Sequence, residues 1–197
     1  EAIADLNDRL RRTRFPDQIP GAQWSYGTDL DYLQALTHYW STTFDWRAQE
    51  RLLNSFPQFK VALHDIDLHY LHVPGVGPDP KPLLLMHGWP GSVFEFMELI
   101  PRLSDPARFG GDPVDAFTVI APSLPGYGLS FEPNQKRFCI PQIADCFSDL
   151  MVDVLGFEKF AAQGGDWGAF TCSALGVRHS DKLAGIPLNM LAIKPDP

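Results

Sequence analysis

Cysteine is scarce in this chain of 197 residues: only Cys139, Cys146 and Cys172 occur. Their number is odd and no C-x-x-C spacing is present, so neither a disulfide framework nor a thiolate metal site is expected. Each sits in an apolar or helical stretch and reads as a buried free thiol of a reducing compartment. No run of about 18 apolar residues exists, so no spanning helix is expected. Excess positive charge is also missing. Sixteen Lys and Arg against 24 Asp and Glu give a formal charge of -8, which argues against nucleic acid and against an anionic membrane surface as partners. The first fourteen residues are charged throughout and lack the apolar centre of a signal peptide. The cytoplasm is the default location. Internal repeats and low-complexity tracts are absent.

What is present fits a soluble globular protein, with 45% hydrophobic and 20% charged residues. The length suffices for one domain with a sizeable core. Residues 1–14 predict an amphipathic helix, with Ile3, Leu6 and Leu10 on one face. Residues 29–43 and 46–54 predict two more helices. Tyr32, Tyr39, Trp40, Phe44 and Trp46 read as packing material of this segment. At Phe56 the period changes. Residues 59–63 and 68–73 alternate as a strand pair joined around Asp65-Ile66-Asp67. His69 and His72 would point to opposite faces of one strand, so they cannot share a metal ion. With His64 they read as a solvated hairpin. No other His, Cys and carboxylate cluster has ligand spacing, and no metal or cofactor is expected.

Residues 82–86 and 117–121 are continuous apolar runs of the kind buried in a parallel sheet. Ser92 predicts a helix start, with Glu95 completing a capping box. Residues 140–155 predict a helix, 159–163 a strand, and 183–189 a last strand. Strands alternating with helices predict an α/β fold with a mostly parallel sheet covered on both faces. In such a sheet reactive groups gather at the carboxyl ends of the strands. Three of these ends are unusual: His87-Gly88-Trp89-Pro90-Gly91, residues 122–130, and Gly164-Gly165-Asp166-Trp167-Gly168.

The last of these is a G-x-D-x-G turn between a strand and a helix, the pattern of a nucleophile elbow with Asp in place of Ser. A carboxylate is ionised at neutral pH and can attack carbon directly. Asp166 would equally serve as an ordinary N-cap. If Asp166 is the nucleophile, the backbone N–H of Trp167 is the natural first donor to an oxyanion, and Trp89 is the candidate for the second. The 87–91 stretch alone would also fit a plain strand-to-helix turn. His87 and Pro90 are read as shaping that loop, His87 by orienting it and Pro90 by stiffening it. His179 lies too far along the same helix, about 20 Å from Asp166, to act as its base.

These three motifs, in this order and spacing, resemble an epoxide hydrolase of the α/β-hydrolase superfamily. The leader from Leu10-Arg11-Arg12-Thr13-Arg14-Phe15-Pro16 through Asp45-Trp46-Arg47 to Asn54-Ser55-Phe56-Pro57-Gln58-Phe59 resembles the N-terminal helical segment of one branch. That branch holds the microsomal, juvenile-hormone and related fungal and bacterial enzymes. The resemblance implies an N-terminal helical segment over residues 1–56, the first part of an α/β-hydrolase core over 57–190, and the start of a lid over 191–197. It implies that Asp166 opens a small-molecule epoxide and forms a hydroxyalkyl ester, with Trp89 and Trp167 supplying the oxyanion hole. The His base, its acid partner and the lid tyrosines would come from the C-terminal remainder of the same enzyme, together with the last strands. A homo-oligomer is compatible with this reading. Two rivals stand beside it. A haloalkane dehalogenase also uses an elbow Asp followed by Trp. A non-catalytic fragment or binding module would need neither base nor lid.

Overall fold

The computed structural model describes residues 1–191. The expected lid start at 191–197 therefore lies outside the described residues, Leu191 excepted. The chain divides into two compact units, the first from Glu1 to Arg51 and the second from Leu52 onward.

In the first unit, α1 (Ala2–Arg11) packs with α2 (Leu30–Thr42). The α2 start is set by Asp29, whose side chain accepts from the Tyr32 N–H at 3.0 Å. The short α3 (Trp46–Leu53) follows. The packing role expected of the aromatic residues does not hold. Tyr32, Tyr39, Trp40, Phe44 and Trp46 are all exposed. A unit of about fifty residues has too little interior to enclose so many rings. Tyr39, Trp40, Phe44 and Trp46 instead line an open groove of about 900 Å³ between α1 and the end of α2.

The second unit is built on a six-stranded sheet in the order β1-β2-β4-β3-β5-β6. Its strands are β1 (Gln58–Leu63), β2 (Ile66–Val73), β3 (Lys81–Met86), β4 (Phe117–Pro122), β5 (Phe160–Gly164) and β6 (Leu183–Gly185). The β1–β2 and β2–β4 pairs are antiparallel, and β4, β3, β5 and β6 run parallel. The last strand is shorter than expected. A register shift interrupts its pairing with β5, and contact resumes as a single bridge between Gly164 and Leu188.

Alternation along the strands separates two cores. Leu84, Met86, Leu68 and Ile120 face α5 (Ile140–Asp149) and α6 (Trp167–Arg178). Leu83, Leu85, Leu71 and Val119 face Phe96, Met97 and α4 (Leu99–Ser104), which begins just before Ile100. The sheet is thus covered on both sides, as the alternation of strands and helices implies.

Four local expectations need correction. Ser92 does not open an α-helix with a capping box. It caps a four-residue 3-10 turn, accepting from the Phe94 N–H at 3.3 Å, while Glu95 lies against Gly91. The helix expected over 140–155 is α only to Asp149 and closes in a π turn over Leu150–Val154. Cys139 is exposed rather than buried, because it occupies the N-cap of α5, where the Gln142 side chain bonds back to its N–H. The hairpin histidines are only partly solvated, and His69 hardly at all. His64 bonds Asp149 at 2.6 Å. His69 is buried between Ser123 Oγ at 3.0 Å and Gln58 Oε1 at 3.1 Å. Satisfying both ring nitrogens is what allows burial of the imidazole.

Burial pushes the His69 pKa down to about 4, with Lys60 adding repulsion. In the unfolded chain His69 binds its proton near pH 6.5. The unfolded state therefore holds more protons between those values, and stability falls as pH drops from 6.5 to 4. His72 and His87 are lowered in the same direction by burial. Urea unfolding followed across this range is expected to show a loss of about 2 kcal/mol due to His69, after allowance for solvent screening. His69→Gln should flatten the profile by that amount, and an unchanged slope would exclude His69 as its source.

Candidate active site

The three parallel strands β4, β3 and β5 deliver their carboxyl ends to one edge of the sheet. β3 connects to β4 on one side, and the chain then crosses back to β5 on the other. This reversal opens a crevice at the strand ends. Residues 87–91, 122–130 and 164–168 all lie there, so the structure brings the three unusual stretches together.

Asp166 sits in the reversal between β5 and α6. Only Gly165 and Asp166 separate the last residue of the strand from the first of the helix. That brevity forces Asp166 to φ 50° and ψ -124°, a conformation costly for any residue with a Cβ. Two glycines make the turn geometrically feasible. A Cβ on Gly164 would collide with the backbone of Gly168, and one on Gly168 would collide with the Met86 carbonyl. Helix, strand β5 and strand β3 are in backbone contact here.

The position of Asp166 is formally an N-cap, yet its side chain makes no capping bond to α6. The ordinary capping role is therefore not what holds it. The carboxylate turns toward the 87–91 loop, where the Trp89 N–H donates to Oδ1 at 2.8 Å. Gly88 is where this approach is closest. A Cβ there would lie 2.6 Å from Asp166 Cβ. The Trp89 N–H, and after it the Trp167 N–H, hold the Asp166 pKa below the usual carboxylate range. The group is thus ionised at neutral pH and open to solvent.

His87 explains why the Trp89 N–H points at Asp166. It is buried, and its Nε2 accepts from the Leu124 N–H at 3.0 Å. Burial lowers its pKa, so the ring is neutral and carries its single proton on Nδ1. That proton is donated to the Gly88 carbonyl at 2.8 Å. In a trans peptide the C=O and N–H point opposite ways. Holding the Gly88 carbonyl against His87 therefore aims the Trp89 N–H outward. Pro90 follows through a cis bond and is exposed. Trp89 and Trp167 are exposed by 59% and 40%, and the Trp167 ring lies 6.1 Å from that of Phe170.

His179 is not brought to Asp166. It caps the far end of α6 and bonds Asp145 at 2.7 Å, beside a bidentate Arg178. Among the described residues no group of three His, Cys, Asp or Glu stands close enough to hold a metal ion. Sequence reasoning missed Gln163 and Asn189. Gln163 donates to Asn189 Oδ1 at 2.8 Å, and the Asn189 amide lies beside Gly165. A polar residue near the end of β5 and another four residues beyond β6 are the only trace they leave in the sequence. Chemically, the arrangement is an ionised, solvent-open carboxylate whose charge is favoured by the backbone N–H groups of Trp89 and Trp167.

A doubly covered, mostly parallel sheet with an acidic elbow at the end of β5 and one facing amide after β3 defines the class of α/β-hydrolases. Residues 81–194 match the family described as alpha/beta hydrolase fold, and the chain belongs to that family. Residues 1–96 match the family described as epoxide hydrolase N terminus. The chain is 42% identical over 197 residues to epoxide hydrolase 1 of Oryctolagus cuniculus, covering 98% of this chain and 43% of that protein. The crystal structure of juvenile hormone epoxide hydrolase from Bombyx mori superposes with a TM-score of 0.82 at 32% identity, covering 95% of this chain and 50% of the other. The Aspergillus niger epoxide hydrolase gives 0.84 at 31%, covering 100% and 51%. The chain spans less than half the length of the curated relatives it matches.

The elbow geometry has a stability signature. Asp166→Gly is expected to raise the urea midpoint, because glycine accepts the φ that aspartate is forced to adopt. Gly168→Ala should lower stability by about 3 kcal/mol through its clash with the Met86 carbonyl. A lower midpoint for Asp166→Gly would mean that the lost Trp89 N–H bond outweighs the relieved strain.

Proposed function

We propose that this chain carries the nucleophile and the oxyanion hole of an epoxide hydrolase that converts a small-molecule epoxide to a vicinal diol. The observation that carries the reading is the ionised Asp166, bound through Oδ1 to the Trp89 N–H at 2.8 Å. With Oδ1 so engaged, Oδ2 is the free nucleophile. It attacks a ring carbon, the ring C–O bond breaks, and the oxygen takes a proton from an acid of the substrate pocket. The product is a hydroxyalkyl ester of Asp166. Water then adds to the ester carbonyl carbon. Its negative charge develops on Oδ1, where the N–H groups of Trp89 and Trp167 stabilise it. Collapse releases the diol and restores the carboxylate.

The name shared by the relatives supports the substrate class. In this reading the base that activates water, its acid partner and the proton donor belong to the C-terminal remainder of the enzyme. Residues 1–56 form its helical leader and residues 57–190 the first part of its core. We place the enzyme in the cytoplasm, with three unpaired thiols in support.

The ester is the testable intermediate. A strained aryl epoxide, offered to the folded chain for hours, should add one substrate mass to the peptide holding Asp166. Hydroxylamine should remove it, since it cleaves esters and leaves thioethers intact. Cys139 is the competing site, because it is exposed, whereas burial pushes the Cys172 thiol up to about 12. Supplied with its complement, the enzyme should form diol, and Asp166→Asn should reduce the rate by about three orders of magnitude or more. Labelling confined to cysteine, or equal labelling of Asp166 in native and urea-unfolded protein, would overturn the assignment. Bromide release from a bromoalkane without diol release from an epoxide would transfer it to a dehalogenase.

A further inference from the structure

The Trp89 N–H is the last donor in a line of hydrogen bonds that begins on the other side of β4. The His69 N–H donates to Ser130 Oγ at 2.9 Å, and the Ser130 hydroxyl donates to the Ser123 carbonyl at 2.9 Å. The Ser123–Leu124 peptide is trans, so its N–H points away from that carbonyl, and it donates to His87 Nε2 at 3.0 Å. His87 Nδ1–H donates to the Gly88 carbonyl at 2.8 Å, and the opposite end of that peptide donates to Asp166 Oδ1 at 2.8 Å. Every group in the line accepts at one end and donates at the other, in a single direction. Ser123, Ser130 and His87 are each 1% exposed, so water competes at none of them.

We propose that Ser130 is a positioning residue of the oxyanion hole, acting on Trp89 through the Ser123–Leu124 peptide, the His87 ring and the Gly88–Trp89 peptide. The proposal rests on the oxyanion reading above for its catalytic meaning. Two effects combine. Geometrically, each carbonyl that is held fixes the direction of the N–H at the far end of its peptide. Electrically, bonds aligned head to tail polarise one another in a low-dielectric interior. The positive end of the line is the Trp89 N–H, where an oxyanion would form. A serine hydroxyl is suited to the entry of the line because it accepts from one group while donating to another. Alanine can do neither.

The Ser123 side chain provides a control. Its hydroxyl bonds His69 Nδ1 at 3.0 Å and is equally buried, yet it hangs off the line as a branch. Ser123→Ala costs a buried hydrogen bond without interrupting the relay, while Ser130→Ala interrupts it. In the ¹⁵N-labelled chain, the Trp89 amide proton is expected to move upfield in Ser130→Ala and to exchange faster with solvent. It should stay in place in Ser123→Ala and return in Ser130→Thr, which restores a hydroxyl. Should Ser130→Ala fail to fold, Ser130→Cys takes its place, its weaker S–H donor giving a smaller upfield move. A Trp89 resonance unmoved in the folded Ser130 variant, or moved as far by Ser123→Ala, would overturn the relay. No epoxide enters this measurement. A chain that shows the shift but resists alkylation would retain the relay and lose the proposed function, and the reverse result would separate them the other way.

Discussion

The structure depends on one close approach, that of the Gly164–Gly168 reversal to the Met86 carbonyl at the end of β3. Without side chains at either glycine, the start of α6 can settle against the sheet edge. Asp166 then has no ordinary conformation available and is forced to positive φ. The same proximity places the loop after β3 within hydrogen-bond reach of the carboxylate. The strain at one residue and the polar contact at the next strand end are therefore two results of a single packing constraint.

Around that contact, the loops at the carboxyl ends of β3, β4 and β5 are tied by bonds that each pair a main-chain N–H with a side chain. His87 spans the first two, and the Trp89 N–H joins the first to the third. Rigid strands buried on both faces hold the loop ends, since Leu83, Leu84, Leu85 and Met86 are almost wholly inaccessible. Positioning is thus inherited from the sheet, and the loops only have to preserve a few peptide orientations.

The large elements were legible in the sequence because their signals are local. The apolar run at 83–86 and the glycines around Asp166 state strand and elbow within a few residues. The three strand-end stretches could be recognised for the same reason. What could not be read depends on distant partners. Nothing near His69 reveals that Gln58 and Ser123 would satisfy both of its nitrogens and draw it inward. Ser130 looks like any loop serine until the chain folds it over the Ser123 carbonyl. The aromatic residues of the leader failed in the opposite sense. Their spacing is helical, but spacing cannot report whether a short unit has enough interior to cover them. At Asp149 the α-helix gives way to a π turn with no proline or glycine to announce it.

The groups at positions 89 and 167 that bear on the Asp166 carboxylate are backbone amides, while both residues remain partly exposed. A peptide N–H is present whatever side chain its residue carries, proline excepted. Substitution at these positions by any residue but proline can therefore reshape the approach to Asp166 while both N–H groups remain. The outer surface around the carboxylate and the donors that face it are, in this sense, separately heritable.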